Sequence, residues 1–111
     1  MIEITGRDFD NEVLKSELPV FACFTASPCG SCFALCLITE DLTEEYEGKI
    51  KFVKIDVEKE PDLAARYNIL PLPAILLFQQ GEPLKKLGGF QSKAYLRNSL
   101  NALISATEQF R

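Results

Sequence analysis

Four cysteines lie close together in a chain of 111 residues, at positions 23, 29, 32 and 36. Cys29 and Cys32 are separated by two residues, a spacing that occurs in dithiol redox sites and in cysteine-ligated metal sites. Cysteines this close in sequence cannot connect distant parts of a fold. The chain contains no histidine, which excludes imidazole-based acid–base catalysis and metal sites that need a histidine ligand. Sulfur chemistry is therefore the reactivity that the composition offers.

The residues around the pair predict its position between a strand and a helix. Residues 20–24 are almost continuously apolar, as expected of a strand covered on both faces, and a long amphipathic helix follows. Cys29 is expected at the N-terminus of this helix, where free backbone N–H groups and the helix dipole stabilise a thiolate. We expect Cys29 to be the attacking thiol and Cys32 to resolve the mixed disulfide. Gly30 is expected to give the tight turn its conformational freedom.

The other elements alternate along the chain and indicate an α/β domain. Runs of alternating or β-branched residues predict strands, and apolar residues at helical spacing predict helices. In chain order these are strand 2–4, helix 9–15, strand 20–24, a helix ending near Gly48, strand 50–57, helix 61–67, strand 74–78, strand 83–87 and helix 92–107. The last helix is expected to turn one apolar stripe toward the core, formed by Tyr95, Leu96, Leu100, Leu103 and Ile104. The pattern predicts one domain over residues 1–111, with a mixed sheet of about five strands flanked by about four helices.

Composition excludes several classes of partner. Hydrophobic residues make up 47% of the chain and charged residues 25%, with a formal net charge of −4. Because Lys and Arg form no cluster, the basic surface that binds nucleic acid is missing. No run of about 18 apolar residues predicts a membrane helix, and the first residues lack the pattern of a secretory signal. We therefore expect a cytoplasmic protein that binds neither nucleic acid nor membrane.

Several motifs in the correct order resemble the thioredoxin family across almost the entire chain. The segment from Phe24 to Cys32, FTASPCGSC, looks like the family's active-site segment, and KIDV at 54–57 resembles its third strand. The segment YNILPLPA at 67–74 is similar to its cis-proline loop. Gly81, Glu82 and Gly89 match family positions that border the active site. A lone Cys-x-x-Cys would be a weak signal, whereas this set, correctly placed, is specific.

The resemblance implies a thioredoxin fold and a protein-disulfide reductase without a bound cofactor. Its substrates would be disulfides in other proteins, its electrons would come from a thioredoxin-reductase-like flavoenzyme or another dithiol, and it would be a monomer. Pro73 would follow a cis peptide bond opposite the disulfide, with Leu72 presenting backbone groups to an extended substrate. Pro28 and Gly89 would border the same substrate site. The alternative is that the prolines at 71 and 73 only terminate a loop.

Two departures from the family affect the redox site. The family signature is Trp-Cys-Gly-Pro-Cys, whereas this chain contains no tryptophan and has Ser31 in place of the proline. The serine N–H and hydroxyl can donate to a thiolate, which predicts a less reducing couple. Cys23 occupies the position of the family's buried aspartate, so it is either a small core residue or an auxiliary thiol. Lys54, the usual neighbour of that aspartate, would then pair with Asp56 or remain at the surface.

Cys36 lies one helical turn beyond Cys32 and is expected to point into the core. With Cys23, Cys29 and Cys32 it also completes four thiolates, so a zinc or iron–sulfur site is an alternative hypothesis. Apolar side chains near the pair form either a docking patch for a protein substrate or scattered surface hydrophobes: Pro28, Phe33, Leu72 and Phe90. A binding module whose cysteine pair no longer reacts is a further alternative, because fold alone does not determine function.

Overall fold

A mixed sheet of five strands forms the centre of the computed structural model, which describes residues 1–69 and 71–109. Its strands are β1 Ile2–Glu3, β2 Val20–Thr25, β3 Lys51–Asp56, β4 Ala74–Gln79 and β5 Glu82–Gly88. Its helices are α1 Gly6–Phe9, which continues as a π-helical segment Asp10–Leu14, then α2 Gly30–Glu45, α3 Pro61–Arg66 and α4 Lys93–Gln109. Leu70 and residues 110–111, which belong to the predicted loop and domain, lie outside the described residues.

The strand order is β1-β3-β2-β4-β5, with β2 at the centre of the sheet. β1 and β2 both pair in parallel with β3, whereas β4 is antiparallel to β2 and β5 is antiparallel to β4. The parallel strands are connected by helices, and the two antiparallel strands at the end are connected by a hairpin. This arrangement confirms the predicted mixed sheet flanked by helices and the thioredoxin fold.

Strand β2 carries side chains into two separate cores, one on each face of the sheet. All six of its residues are buried, as the continuous apolar run predicted. Phe24 and its alternate neighbours belong to the core beneath α1 and α3, which also contains Phe9, Val13 and Leu63. Phe21 and Cys23 belong to the opposite core, which contains Leu35 of α2 and Leu100 of α4. Cys23 therefore faces the helix that follows the cysteine pair.

Glycines with positive φ lie in the hairpin between β4 and β5 and just after helix α2. Gln80 and Gly81 have φ angles of 51° and 82°, the pattern of a type I′ hairpin turn. A Cβ atom at Gly81 would lie 2.9 Å from the carbonyl oxygen of Leu14, so this turn also needs glycine for space. Helix α2 ends at Glu45, and Gly48 follows with φ 79°, close to the predicted end.

One prediction for helix α4 is wrong in part. Leu96 and Leu100 are fully buried as predicted, but 42% of Tyr95 is exposed. Its ring instead lies 5.3 Å from the ammonium nitrogen of Lys85 on β5, a cation–π contact at the surface. None of the helices in the described part of the chain has the length and apolar character needed to cross a bilayer.

Candidate active site

Cys29 and Cys32 form a disulfide at the start of helix α2, with their Cα atoms 5.2 Å apart. Cys29 is the N-cap residue: its backbone is extended, and its carbonyl oxygen accepts a 3.1 Å hydrogen bond from Phe33. The backbone N–H of Cys32 donates to the Cys29 sulfur at 3.2 Å. The predicted placement of the pair at a helix N-terminus is therefore confirmed. The same N–H group, together with the helix dipole, would stabilise a thiolate at Cys29.

The two sulfurs of the disulfide differ in exposure. Cys32 is buried, with 3% of its surface accessible, whereas Cys29 is partly exposed. Both line a cleft of about 390 Å³. An external disulfide can therefore reach Cys29 more easily, while Cys32 is positioned to react with a sulfur already attached to Cys29. The cleft is lined by Glu3, Thr25, Ala26, Ser27, Cys29, Cys32, Phe33, Cys36, Lys54 and Asp56.

The two residues between the cysteines have different roles in the geometry. The hydroxyl oxygen of exposed Ser31 lies 3.7 Å from the Cys29 sulfur. Because a disulfide sulfur carries no hydrogen, the serine is the donor in this contact. Gly30 is the first residue of α2, its φ lies outside the left-handed region, and nothing approaches the position of a Cβ within 4 Å. The structure therefore gives no conformational need for glycine there, contrary to the expectation from the sequence.

The proline loop forms a second group of predicted site residues, and none of them lines this cleft. The peptide bond between Leu72 and Pro73 is cis, as the family resemblance implied. Pro73 is buried and Leu72 is half-buried. Gly89, with φ 79°, donates its backbone N–H to the Pro73 carbonyl oxygen at 2.7 Å. The bond between Ser27 and Pro28 is also cis, which the sequence analysis did not predict, and Pro28 is exposed beside the disulfide.

Behind the disulfide, Cys36 and Lys54 line the same cleft, so the expectation that Cys36 points into the core is wrong. Cys23 is fully buried and lies opposite Lys54 in the parallel pairing of β2 with β3. Cys36 lies on α2, the helix that packs over the core containing Cys23. The signal that could have revealed this arrangement is the alternation of β2, which directs Cys23 toward the face that α2 covers.

The acidities of the two thiols differ. Hydrogen bonding to Cys23 is the largest cause that lowers the pKa of Cys36 to about 6, against the effect of burial and with support from the charge of Lys54. The same hydrogen bond, together with burial, raises the pKa of Cys23 well above its ordinary value. Cys36 is therefore the more acidic thiol of the two.

Lys54 does not form the ion pair with Asp56 that was one of its expected positions. The Asp56 carboxylate accepts hydrogen bonds from the backbone N–H groups of Glu58 and Lys59, at 2.9 Å and 3.4 Å. Among the described residues, no carboxylate lies within 4.0 Å of the Lys54 ammonium group. Lys54 is half-buried in the cleft, where its charge acts on the thiols.

The cysteines are not arranged as the metal site that their number alone allowed. Two of the four are joined in the disulfide, and two are free thiols. Within residues 1–69 and 71–109, no group of three or more His, Cys, Asp or Glu side chains is arranged to hold a metal ion.

Comparison with known proteins agrees with this geometry. The family model named Thioredoxin matches residues 1–102. The chain belongs to the thioredoxin family. It is 36% identical over 103 residues to the thioredoxin of Pyropia yezoensis and equally to that of Porphyra purpurea, covering 93% of this chain and 96% of each relative. It is also 35% identical over 101 residues to a Staphylococcus aureus thioredoxin, covering 91% and 95%.

Family membership and the disulfide together define the type of chemistry. The cysteine pair of this thioredoxin-family protein occupies the Cys-x-x-Cys position and forms the disulfide there. The protein is a thiol–disulfide oxidoreductase, and specifically a protein-disulfide reductase. As in its family, its partners are protein substrates and a reductase. The family match and the disulfide support this activity over the alternative of a binding module with an unreactive pair.

Proposed function

We propose that the protein reduces disulfides in other proteins with Cys29 as the nucleophile and Cys32 as the resolving thiol. The Cys29 thiolate attacks one sulfur of the substrate disulfide, forming a mixed disulfide and releasing the other substrate sulfur as a thiolate. Cys32 then attacks the Cys29 sulfur, which forms the Cys29–Cys32 disulfide and releases the second substrate thiolate. The substrate gains two electrons and two protons, and the dithiol loses them.

The observation that carries this assignment is the difference between the two ends of the disulfide. Cys29 is partly exposed and receives the 3.2 Å hydrogen bond from the Cys32 N–H, whereas Cys32 is 3% exposed. A thiolate at Cys29 is thus both accessible and stabilised. A buried Cys32 has access to Cys29 but not to an external disulfide, which suits the resolving step.

Apolar side chains at the start of α2 and around the proline loop would contact the protein substrate. Phe33 is 69% exposed and Phe90 is 50% exposed. Pro28 and half-buried Leu72 complete this set, which we call the docking patch. Aromatic side chains contribute much of the affinity in protein interfaces. In this proposal, the backbone of Leu72 pairs with an extended substrate segment, Pro73 anchors that loop, and Gly89 holds it through its hydrogen bond.

The remaining assignments follow from the chemistry of the dithiol. No resident cofactor is needed, because the two thiols themselves carry the electron pair. Oxidised protein would be returned to the dithiol by a thioredoxin-reductase-like flavoenzyme or another dithiol. A cytoplasmic location suits this cycle, since that compartment keeps thiols reduced. Residues 1–111 would act as one domain and as a monomer, and the net charge of −4 gives no attraction to nucleic acid or membrane surfaces.

Trapping the mixed disulfide tests the assignment of the two cysteines. The Cys32→Ser variant should accumulate a covalent complex with a disulfide-containing protein such as insulin, because the resolving thiol is missing. The Cys29→Ser variant, its matched control, should form at least tenfold less complex. Both complexes are measured on non-reducing gels and by mass spectrometry. Equal trapping by the two variants, or trapping through Cys32 alone, would overturn the assignment.

A further inference from the structure

The resolving step of the reductase reaction requires the Cys32 thiol to lose its proton. A thiolate, and not a thiol, is the nucleophile in disulfide exchange. Bulk water has little access to this proton, because Cys32 is only 3% exposed. The backbone N–H of Cys32 donates to the Cys29 sulfur, so it stabilises a thiolate at Cys29 rather than at Cys32. A proton acceptor inside the cleft would therefore speed up the resolving step.

Most titratable groups of the cleft are unsuited to accept this proton. Besides the disulfide pair, the described residues that line the cleft include four such groups: Glu3, Cys36, Lys54 and Asp56. The Asp56 carboxylate accepts hydrogen bonds from the backbone N–H groups of residues 58 and 59, and the Glu3 carboxylate pairs with Lys59 at 3.3 Å. Both carboxylates belong to strands and are engaged by this segment, whereas Cys32 belongs to α2. The ammonium group of Lys54 donates hydrogen bonds and accepts none.

Cys36 has the position that a proton acceptor for Cys32 requires. The two cysteines are four residues apart on α2, a spacing at which helical side chains are neighbours, with Cβ atoms about 5–6 Å apart. Both line the same cleft. Cys36 is a free thiol and is partly exposed, whereas Cys32 is buried. A proton can therefore pass outward from Cys32 to Cys36, directly or through one water molecule, and from there to solvent.

The charges around Cys36 favour the thiolate form that would accept the proton. Lys54 from β3 lines the same cleft, and no carboxylate of the described residues lies within 4.0 Å of its ammonium group. Glu40 on α2 is the opposing charge, but it is paired with the Met1 amino group at 2.7 Å. The pKa of Cys36 is lowered to about 6, chiefly by hydrogen bonding to the Cys23 thiol of β2 and further by the charge of Lys54, against the effect of burial. A base of this strength is active at neutral pH.

We propose that Cys36 is the general base of the resolving step and takes the proton from Cys32 as Cys32 attacks the mixed disulfide. This role rests on the proposed function, because it requires Cys32 to be the resolving thiol. A bond forms between the sulfurs of Cys32 and Cys29, the bond between Cys29 and the substrate sulfur breaks, and the substrate leaves as a thiolate. The Cys32 proton moves to the Cys36 sulfur. Cys36 then releases this proton to solvent, so it is neither oxidised nor consumed.

The pH dependence of the resolving step tests this role on the unaltered protein. The dithiol protein is mixed with an equimolar amount of the aromatic disulfide dithiobisnitrobenzoate, quenched with acid at successive times and analysed by intact mass spectrometry. The mixed disulfide at Cys29 forms first and then decays to the Cys29–Cys32 disulfide. Because Cys36 accepts a proton only as a thiolate, the decay rate should be level above neutral pH and fall as the pH is lowered through about 6. A decay rate that still rises through about pH 8.5, as when an ordinary thiol ionises unaided, would contradict the proposal.

Two variants at position 36 separate the base from the shape of the side chain. In Cys36→Ser, whose hydroxyl is not a base at neutral pH, the mixed disulfide should decay more slowly by roughly tenfold or more, and the difference should disappear in alkaline buffer. Cys36→Asp supplies a carboxylate as the base and should recover most of the lost rate. Leu37→Ser, at an exposed neighbouring position, should leave the decay unchanged. Equal decay in Cys36→Ser and the unaltered protein, or no recovery in Cys36→Asp, would overturn the proposal.

The same time courses separate this role from the assignment of the redox pair. The mixed disulfide should form at the same rate in the Cys36 variants as in the unaltered protein, because Cys29 is the attacking thiol. Tandem mass spectrometry of the modified peptide locates the adduct. An adduct on Cys32 would overturn the proposed function itself, whereas an adduct on Cys29 that decays equally fast in Cys36→Ser would overturn only the role of Cys36.

Discussion

The backbone N–H of Gly89 donates a 2.7 Å hydrogen bond to the carbonyl oxygen of Pro73. This bond joins the end of β5 to the loop that precedes β4. Gly89 has φ 79°, a conformation that side chains with a Cβ adopt at a cost of about 1–2 kcal/mol. The shape of the proline loop, which we propose receives the substrate, thus depends on a glycine 16 residues further along the chain.

Replacing Gly89 by alanine should reduce both stability and turnover of protein substrates. Nothing lies within 4 Å of its Cβ position, so the effect comes from the backbone conformation alone. We expect a loss of about 1 kcal/mol, or about 4 °C in Tm, and a severalfold lower kcat/KM with insulin. Gly48→Ala is the matched control, since Gly48 has the same φ and equally open surroundings. It should lose stability but keep its activity; equal activity of both variants would contradict the role of Gly89.

The docking patch predicts that Phe33 contributes to substrate affinity without contributing to stability. Phe33→Ser should lower kcat/KM for a protein disulfide by roughly five- to tenfold. This corresponds to a loss of about 1 kcal/mol or slightly more in transition-state stabilisation. Reduction of a small aromatic disulfide should change little. Leu37→Ser is the control, because Leu37 is also exposed, at 58%, one turn further along α2. If both variants retain full activity on insulin, the patch does not bind the substrate.

Ser31 should make the couple less reducing than that of a typical thioredoxin, whose potential is about −270 mV. Its hydroxyl lies 3.7 Å from the Cys29 sulfur and can donate to the thiolate, which stabilises the dithiol form. Removing the hydroxyl in Ser31→Ala should lower the potential by roughly 10–30 mV, up to about 1.4 kcal/mol for the two-electron couple. Equilibration against glutathione measures this shift. Ser105→Ala, at an exposed position on α4, should show none, and an unchanged potential in Ser31→Ala would contradict the role of the hydroxyl.

Tyr46 connects the end of α2 to α4 and should contribute to stability. Its hydroxyl donates to the side-chain oxygen of Asn101 at 2.6 Å, and its ring is buried. Tyr46→Phe should cost about 1 kcal/mol and lower Tm by about 4 °C, while leaving reductase activity unchanged. Tyr95→Phe, at an exposed position on α4, should lie within about 0.5 kcal/mol of the unaltered protein. Thermal unfolding followed by circular dichroism compares the two.

The sequence predicted the elements whose pattern is long and continuous. The apolar run of β2 and the helical spacing of apolar residues in α2 each extend over enough residues to identify the element without knowledge of its tertiary contacts. The start of α1 was placed three residues too late, at Phe9 instead of Gly6. Glycine is a poor helix residue, and its N–H at the start of α1 is satisfied by the Glu60 carboxylate at 2.6 Å. That partner is 54 residues away, so no local pattern could indicate it.

The sequence predicted the parts of the candidate site that depend only on residues close together in the chain. Cys29 and Cys32 lie at the start of α2 because the strand-to-helix transition is visible in the sequence. The position of Cys36 in the cleft with Lys54 was missed, because it depends on how α2 packs against the sheet. The exposure of Tyr95 was missed for the same reason, since its contact with Lys85 depends on the packing of α4 beside β5.

A redox titration with cysteine assignment tests the central claim most directly. The protein is equilibrated in buffers of defined potential, quenched, unfolded in denaturant and alkylated, and chymotryptic peptides report the oxidation state of each cysteine. We predict one reversible two-electron couple in the Cys29–Cys32 peptide, above about −270 mV, with Cys23 and Cys36 still alkylated as thiols at its midpoint. If Cys29 and Cys32 fail to cycle between dithiol and disulfide, or if the first couple belongs to Cys23 and Cys36, the account of this active site is wrong.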